Sequence, residues 1–256
     1  PDLHRESELV YGTLDRDHPA VNYMFNTGNN VYIGGKIQKI SMPNHYDYRQ
    51  YRLCPDEVKI KFKNKGWDKI VAFQTRNPLH RAHIEMTLKS MKKNSAKLFL
   101  HPVVGMTKPG DVDYFTRVRC YQHVIEKYPS NSAMLALLPL AMRMGGPRET
   151  LLHAIIRKNF GCTHIIVGRD HAGPGNDNNG NPFYGPYDAQ ELLNENKKEI
   201  GIEIVPFQFM VYTPSTNDYK PLESLDENEE YQTISGTELR NRLDSGDEIP
   251  EWFTYP

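Results

Sequence analysis

Cysteine is scarce in this chain, and its pattern argues against two whole classes of structure. Cys54, Cys120 and Cys162 are odd in number, widely spaced and form no Cys-x-x-Cys pair, so neither a disulfide framework nor a zinc site is suggested. Each is read as a small buried hydrophobe in a reducing compartment, which points to the cytoplasm and leaves an organelle open. Long apolar runs are missing too, since nothing approaches the roughly 20 residues that cross a bilayer. There is no signal peptide, and the chain begins Pro1-Asp2-Leu3-His4 without methionine, so it reads as a piece excised from a longer protein. Charge of one sign is also lacking. With 31 basic and 32 acidic residues and a formal charge of -1, the chain has no basic excess of the kind a nucleic-acid surface needs. A local basic pocket for small anions stays open. There is no internal repeat, and the one biased stretch, residues 223–230, reads as an acidic solvated loop.

At 256 residues, one large or two modest domains are expected, enough to hide about three quarters of the unfolded surface. Strand-like runs at 70–73, 97–104, 133–138, 164–167 and 202–211 alternate with helix-like runs at 82–93, 114–128, 148–159 and 188–200. Such alternation predicts an α/β fold of βαβ units, with a mainly parallel sheet covered on both faces. A further helix with an acidic first turn is predicted over 55–63. Residues 1–47 read as β-rich and irregular. Within them, residues 31–40 alternate apolar and polar around Gly34-Gly35 as a hairpin or bulged strand would.

The most informative stretch is Ile70-Val71-Ala72-Phe73-Gln74-Thr75-Arg76-Asn77-Pro78-Leu79-His80-Arg81-Ala82-His83. A short apolar strand ends in polar residues and a proline, then turns helical. In open α/β sheets, ligands bind in the loops beyond the carboxyl ends of the strands. Helix N–H groups there, joined by Arg76, His80 and His83, make a seat for phosphate. An ordinary strand, loop and helix with surface histidines is the alternative that the residues alone leave open.

Residues 164–175 repeat the arrangement with Gly168-Arg169-Asp170-His171-Ala172-Gly173-Pro174-Gly175 after an apolar run. Gly168 lets a flat ligand approach the backbone because no Cβ stands in the way. Arg169 and His171 bring positive charge, Asp170 can orient them or accept a proton, and Gly173-Pro174-Gly175 reads as turn chemistry. A third segment, Ile234-Ser235-Gly236-Thr237-Glu238-Leu239-Arg240, opens a helix that Ser235 or Thr237 can cap. Two hydroxyls and an arginine at a helix start suit a triphosphate; a capped surface helix would look the same. Elsewhere, Met142 and Met144 read as packing and Arg143 and Arg148 as solvated. The 114–128 helix, with Arg117, Arg119 and His123, reads as amphipathic structure, and His101 equally as core, interface or site.

These segments carry a resemblance. Residues 74–83 resemble the QxRNPxHxxH signature of ATP sulfurylase, with Ala82 where many relatives have glycine. Their HxxH is similar to the HxGH element of the wider nucleotidyltransferase superfamily. Residues 168–175 resemble the family's GRDHAGPG element letter for letter, and 234–240 its ISGTxxR element. Segments 141–149, 153–159, 183–191 and 246–256 look like the family's fungal-type members. The resemblance implies a Rossmann-like nucleotidyltransferase domain with a parallel sheet over 48–206. It also implies a partial β-rich PUA-like domain before it (1–47) and a small C-terminal α/β segment after it (207–256).

The same resemblance implies transfer of the adenylyl group of ATP to sulfate, giving adenosine 5′-phosphosulfate and pyrophosphate. By the family pattern Gln74, Arg76 and the Ala172 N–H hold sulfate, and Thr75, Arg76 and Asn77 act on the reacting phosphorus. ATP contacts fall to Gln74, Thr75, Arg76, Asn77, His80, His83, Gly168, Arg169, Asp170 and His171, with Met210 on the adenine side. Mg2+ is expected with ATP, without a dedicated carboxylate cage and with no tightly bound cofactor. Neither nucleic acid nor membrane is an expected partner, and the full-length protein is expected to be a homo-oligomer. Two rivals stay open, the second of a different class. A sister enzyme adenylating an organic phosphate would lack Gln74-Thr75-Arg76-Asn77 and Gly168-Arg169-Asp170-His171-Ala172-Gly173. Against a non-catalytic RNA-binding or regulatory module stand the balanced charge and the intact motifs.

Overall fold

The predicted alternation of apolar runs and helices is realised as a single winding sheet. The computed structural model describes all residues except Asn30, Pro109, Pro256 and the side chain of Thr237. In chain order the elements are α1 (Leu3–Tyr11), α2 (Pro19–Asn26), α3 (Pro55–Asn64), β1 (Ile70–Phe73), α4 (Arg81–Asn94), β2 (Lys97–Leu100), α5 (Tyr114–Ile125) and β3 (Ala133–Leu135). Then follow α6 (Gly146–Asn159), β4 (His164–Val167), α7 (Asp188–Ile200), β5 (Glu203–Pro206), β6 (Met210–Thr213), β7 (Asp218–Pro221) and α8 (Gly236–Ser245).

Strands β1 to β5 form a parallel sheet in the order β3-β2-β1-β4-β5. The chain starts at the centre, winds out to β3, and returns across α6 to the other side of β1. The order therefore reverses between β1 and β4, where a crevice opens beyond the carboxyl ends of the strands. Helices cover both faces, so the strands are mostly apolar, with Lys97, His164 and Glu203 only at their starts. Their two-residue period divides the core. Ala72, Phe99 and Ile165 pack on one face with Val58 and Phe62 of α3, Ala154 of α6 and Leu193 of α7. Val71, Leu98 and Ile166 pack on the other with Ile84 of α4 and Val118 and Tyr121 of α5.

The β-rich reading of residues 1–47 is corrected. The segment holds α1, capped by Asp2 accepting from the Arg5 N–H at 3.0 Å, and α2, which starts at Pro19. Residues 31–40 carry no strand, and Ile33, Ile37 and Ile40 are almost wholly exposed. Alternation becomes a strand only when a partner supplies the ladder and covers the apolar face, and no described segment pairs with this one. The 202–211 run also divides. Parallel pairing ends at Pro206, and Met210 opens a separate antiparallel hairpin with β7. Runs 97–104 and 133–138 leave the ladder after Leu100 and Leu135, continuing only as a single bridge between Val103 and Leu138.

Of the cysteines only Cys162 is buried; Cys54 is exposed at the N-cap of α3 and Cys120 is half-buried. Arg117 is not part of a solvated face but is buried, donating to the Val103 and Val112 carbonyls at 2.8 and 2.9 Å. The acidic 223–230 stretch is tied down by Tyr187 on Glu223 (2.6 Å) and Lys220 on Glu229 (2.5 Å). Met142 and Met144 are core residues, and so is His101. Among the described residues no helix is long and apolar enough to cross a membrane.

Candidate functional site

The loop after β1 is shaped by its own side chains. Thr75 Oγ1 accepts from the Asn77 N–H at 3.0 Å and donates to the Asn77 carbonyl at 2.9 Å, a hydroxyl-closed turn. Tyr121 of α5 donates to the same carbonyl at 2.8 Å. Arg76 is thrown outward by this turn and pairs with Asp111 from the loop after β2. At the loop's far end His80 caps α4, and its N–H donates to His83 Nδ1 at 3.2 Å. An Nδ1 that accepts leaves the neutral ring its proton on Nε2. Burial pushes His80 and His83 down to about 4, for His80 with help from the neighbouring His83. At neutral pH both rings are therefore hydrogen-bonding groups, not cations. The His80 ring lies 4.4 Å from that of Phe253, and the Arg81 N–H donates to the Phe253 carbonyl at 3.0 Å.

The loop after β4 faces it. At Gly168 no protein atom lies within 4 Å of where a Cβ would stand, so the backbone there is open to a ligand. Asp170 and Ala172 adopt positive φ (52° and 56°), each at a cost of about 1–3 kcal/mol. Three backbone bonds hold them there: Asp170 N–H to Pro186 O (2.9 Å), Gly173 N–H to Asp170 O (3.0 Å) and Gly146 N–H to Ala172 O (3.0 Å). The Ala172 N–H itself meets no acceptor among the described residues.

A cavity of about 450 Å³ lies between these loops, lined by Arg76, Lys108, Gly146, Arg169, Asp170, His171 and Tyr184 among others. Lys108 also donates to the Pro174 carbonyl at 2.7 Å. The wall carrying Tyr184 is joined to the amino-terminal helices: Tyr184 donates to the Tyr11 carbonyl (2.9 Å), and His18 Nε2 sits 3.2 Å from its hydroxyl and 3.1 Å from the Met144 carbonyl. Deeper in, a buried polar row backs the cavity. His153 of α6 places Nε2 3.2 Å from Gln74 Nε2 and 3.5 Å from Glu149 Oε1, and Nδ1 3.2 Å from His171 Nε2.

The structure thus brings Arg76, Arg169, Asp170 and His171 onto one cavity, with Gln74, Thr75, Asn77, Gly168 and Ala172 in the same two loops. His80 and His83 stand further along, at the start of α4, and Met210 packs in β6 against the α4–α5 core; none of these lines the cavity. Ser235 caps α8, accepting from the Glu238 N–H at 3.1 Å; the Thr237 cap falls outside the described side chains. Among the described residues of 234–240 none lines the cavity. Lys108, Gly146 and Tyr184 were missed as lining residues, and Glu149 and His153 as their support. For the last two a signal existed: an acid and a histidine four apart, and so on one face of the helix. Among the described residues no group of three or more His, Cys, Asp or Glu side chains is arranged to hold a metal ion.

Sheet order, crevice and convergent cationic loops define an open parallel α/β domain with a basic-lined cavity at its switch point. The ATP-sulfurylase family profile matches residues 49–256, and the chain belongs to that family. A sulfate adenylyltransferase of Schizosaccharomyces pombe is 55% identical over 256 residues, covering 100% of this chain and 52% of its own length. A sulfate adenylyltransferase of Yarrowia lipolytica is 56% identical, also over 256 residues, with 45% of its length covered. The chain thus spans about half the length of the curated relatives it matches. Among solved structures, the hexameric APS kinase from Thiobacillus denitrificans superposes with a TM-score of 0.71 at 32% identity, over 84% of this chain and 40% of that one.

Proposed function

We propose that this protein transfers the adenylyl group of ATP to inorganic sulfate, releasing pyrophosphate. The observation that carries the reading is the convergence of Arg76 from the β1 loop with Arg169 and His171 from the β4 loop on one cavity. Sulfate is an anion that must approach an already negative α-phosphate, and it has no proton to remove. Catalysis therefore needs charge neutralisation and alignment rather than a general base. Held in line, the two anions gain about 7–11 kcal/mol from placement alone.

In this reading Gln74, Arg76 and the unengaged Ala172 N–H hold sulfate, the arginine by its planar fork. Thr75, Arg76 and Asn77 act at the reacting phosphorus. Gly168, Arg169, Asp170 and His171 flank the nucleotide, His80 and His83 take the outer phosphates as neutral donors, and Met210 lies towards adenine. Magnesium enters with ATP as part of that substrate. Occupying the site requires Arg76 to exchange Asp111 for the incoming anion. The division into 1–47, 48–206 and 207–256, a PUA-like setting for the first segment, a Rossmann-like nucleotidyltransferase core, a homo-oligomeric full-length assembly and a cytoplasmic site belong to the same proposal.

The test is pyrophosphate release from ATP by the full-length protein with and without sulfate. Arg76→Ala should abolish it, since the change removes charge from both substrate and transition state. Near-normal turnover in that variant, or release that follows an organic phosphate and ignores sulfate, would overturn the proposal.

A further inference from the structure

Glu149 and His153 form a buried polar pair to which the adenylyl-transfer scheme gives no task. Glu149 is held from two sides, Oε1 accepting from the Arg143 N–H at 3.0 Å and Oε2 from the Gly145 N–H at 2.9 Å. Burial pushes its carboxyl up, but His153 and these two N–H groups outweigh that and hold it below its ordinary value, so it is ionised. The ring of His153 is fully buried, and burial lowers its pKa, which leaves it neutral. An ionised oxygen 3.5 Å from Nε2 attracts a proton on that nitrogen and repels a lone pair. The neutral ring therefore carries its hydrogen on Nε2, and Nδ1 accepts from His171 Nε2–H at 3.2 Å.

That choice reaches Gln74. A ring N–H wants an acceptor, yet the amide nitrogen of Gln74 stands 3.2 Å away while its oxygen is buried without a partner. A half-turn of the amide supplies that acceptor, because its two ends differ in chemistry far more than in shape, and leaves an NH2 group in the orphaned oxygen's place for a bound anion to satisfy. The oxygen then accepts from His153. We propose that Glu149 and His153 are positioning residues that lock Gln74 with its NH2 turned to the bound anion, so that the site selects sulfate over hydrogenphosphate. The inference rests on Gln74 being a sulfate ligand, as proposed above. With Gln74 locked, it, Arg76 and the Ala172 N–H offer donors only. Sulfate can only accept. Hydrogenphosphate keeps an O–H that would find no acceptor among these three groups, and an unpaired buried donor is penalised. Once unlocked, Gln74 can turn its oxygen to that O–H.

The experiment compares the unaltered full-length protein with His153→Leu and Glu149→Gln. It measures KM for sulfate and for ATP, the inhibition constant of phosphate in sulfate-dependent pyrophosphate release, and anion binding by calorimetry beside a non-hydrolysable ATP analogue. In both variants KM for sulfate should rise about tenfold and the sulfate-to-phosphate preference should fall about tenfold, with KM for ATP changed less than about twofold, the loss of roughly one charge-assisted hydrogen bond. Unchanged preference in a folded variant overturns the inference and leaves adenylyl transfer standing. No sulfate-dependent release in the unaltered protein overturns the adenylyl-transfer reading itself. Should both variants fail to fold, 15N spectra of the histidine rings in the unaltered protein decide: an Nε2–H tautomer at His153 supports the lock, and Nδ1–H overturns it.

Discussion

Replacing Gly146 by alanine tests the cavity wall at its tightest point. Gly146 begins α6 at φ +49°, and an added Cβ would stand 2.4 Å from Cδ2 and 2.6 Å from Cε2 of Tyr184. A side chain in the left-handed region costs about 1–2 kcal/mol, and forcing a ring out of a packed site costs about 1–3 kcal/mol more. If the ring moves, the Tyr184 bonds to Tyr11 and His18 go with it, at about 1 kcal/mol each. Gly146→Ala should therefore lose about 2–5 kcal/mol, and about 4–7 kcal/mol if both bonds break, with weaker anion binding at the cavity that Tyr184 lines. Gly12→Ala is the matched control: φ is +71°, but nothing lies within 4 Å of its added Cβ. It should lose only the backbone cost of about 1–2 kcal/mol. Urea unfolding followed by the fluorescence of Trp67, buried in the core, gives both numbers. Equal losses would refute the reasoning, because the Tyr184 ring would then be free to yield.

Other expectations follow from the two loops. Tyr121→Phe removes the bond to the Asn77 carbonyl and should cost about 0.5–1.5 kcal/mol in urea melts, with a larger proportional loss in kcat than in KM for ATP; unchanged kcat would show that the 75–77 turn holds without it. His80 and His83 are buried at about 4 against an ordinary 6.5. Between those values the unfolded chain binds protons that the folded one refuses, so stability is whole above about pH 6.5 and declines as pH falls towards 4. A urea midpoint that stays flat from pH 7 to 4.5 would contradict their burial. If the outer phosphates meet these rings, nucleotide binding near pH 6 should take up protons, read as a buffer-dependent heat in calorimetry. Lys108→Ala should weaken anion binding several-fold at low salt and less at high salt; salt-independent affinity would remove Lys108 from the anion's surroundings.

What could be read from the chain was what depends on neighbours in sequence. The run at 70–73 and the run at 164–167 became strands with those bounds because short β-branched apolar runs between polar residues suit a strand buried on both faces. The two loops that follow were legible for the same reason. Residues 31–40 misled because a strand is a contract between two segments, and the pattern shows only one. The cavity's other wall was hidden for a related cause. Lys108 reaches Pro174, and Tyr184 reaches Tyr11 and His18, through contacts 66, 173 and 166 residues apart. No local spacing encodes such meetings. That Arg117 lies on the buried side of its amphipathic helix was equally hidden, since a buried helix position and a solvated one differ only by what packs above them.

The stitching of the amino-terminal helices to the far wall sets an order in time. His18 meets Met144 and Tyr184 across 126 and 166 residues, whereas β1 and β2 are joined by a single helix. Closing the longer loops loses more entropy before any contact rewards it, so the wall is expected to assemble after the sheet. Contacts made past the rate-limiting barrier do not hasten folding; they slow escape from the folded state. A ligand that grips this cavity is then a brake on unfolding. How long each molecule stays native, and not how quickly it became so, is what ligand concentration would govern.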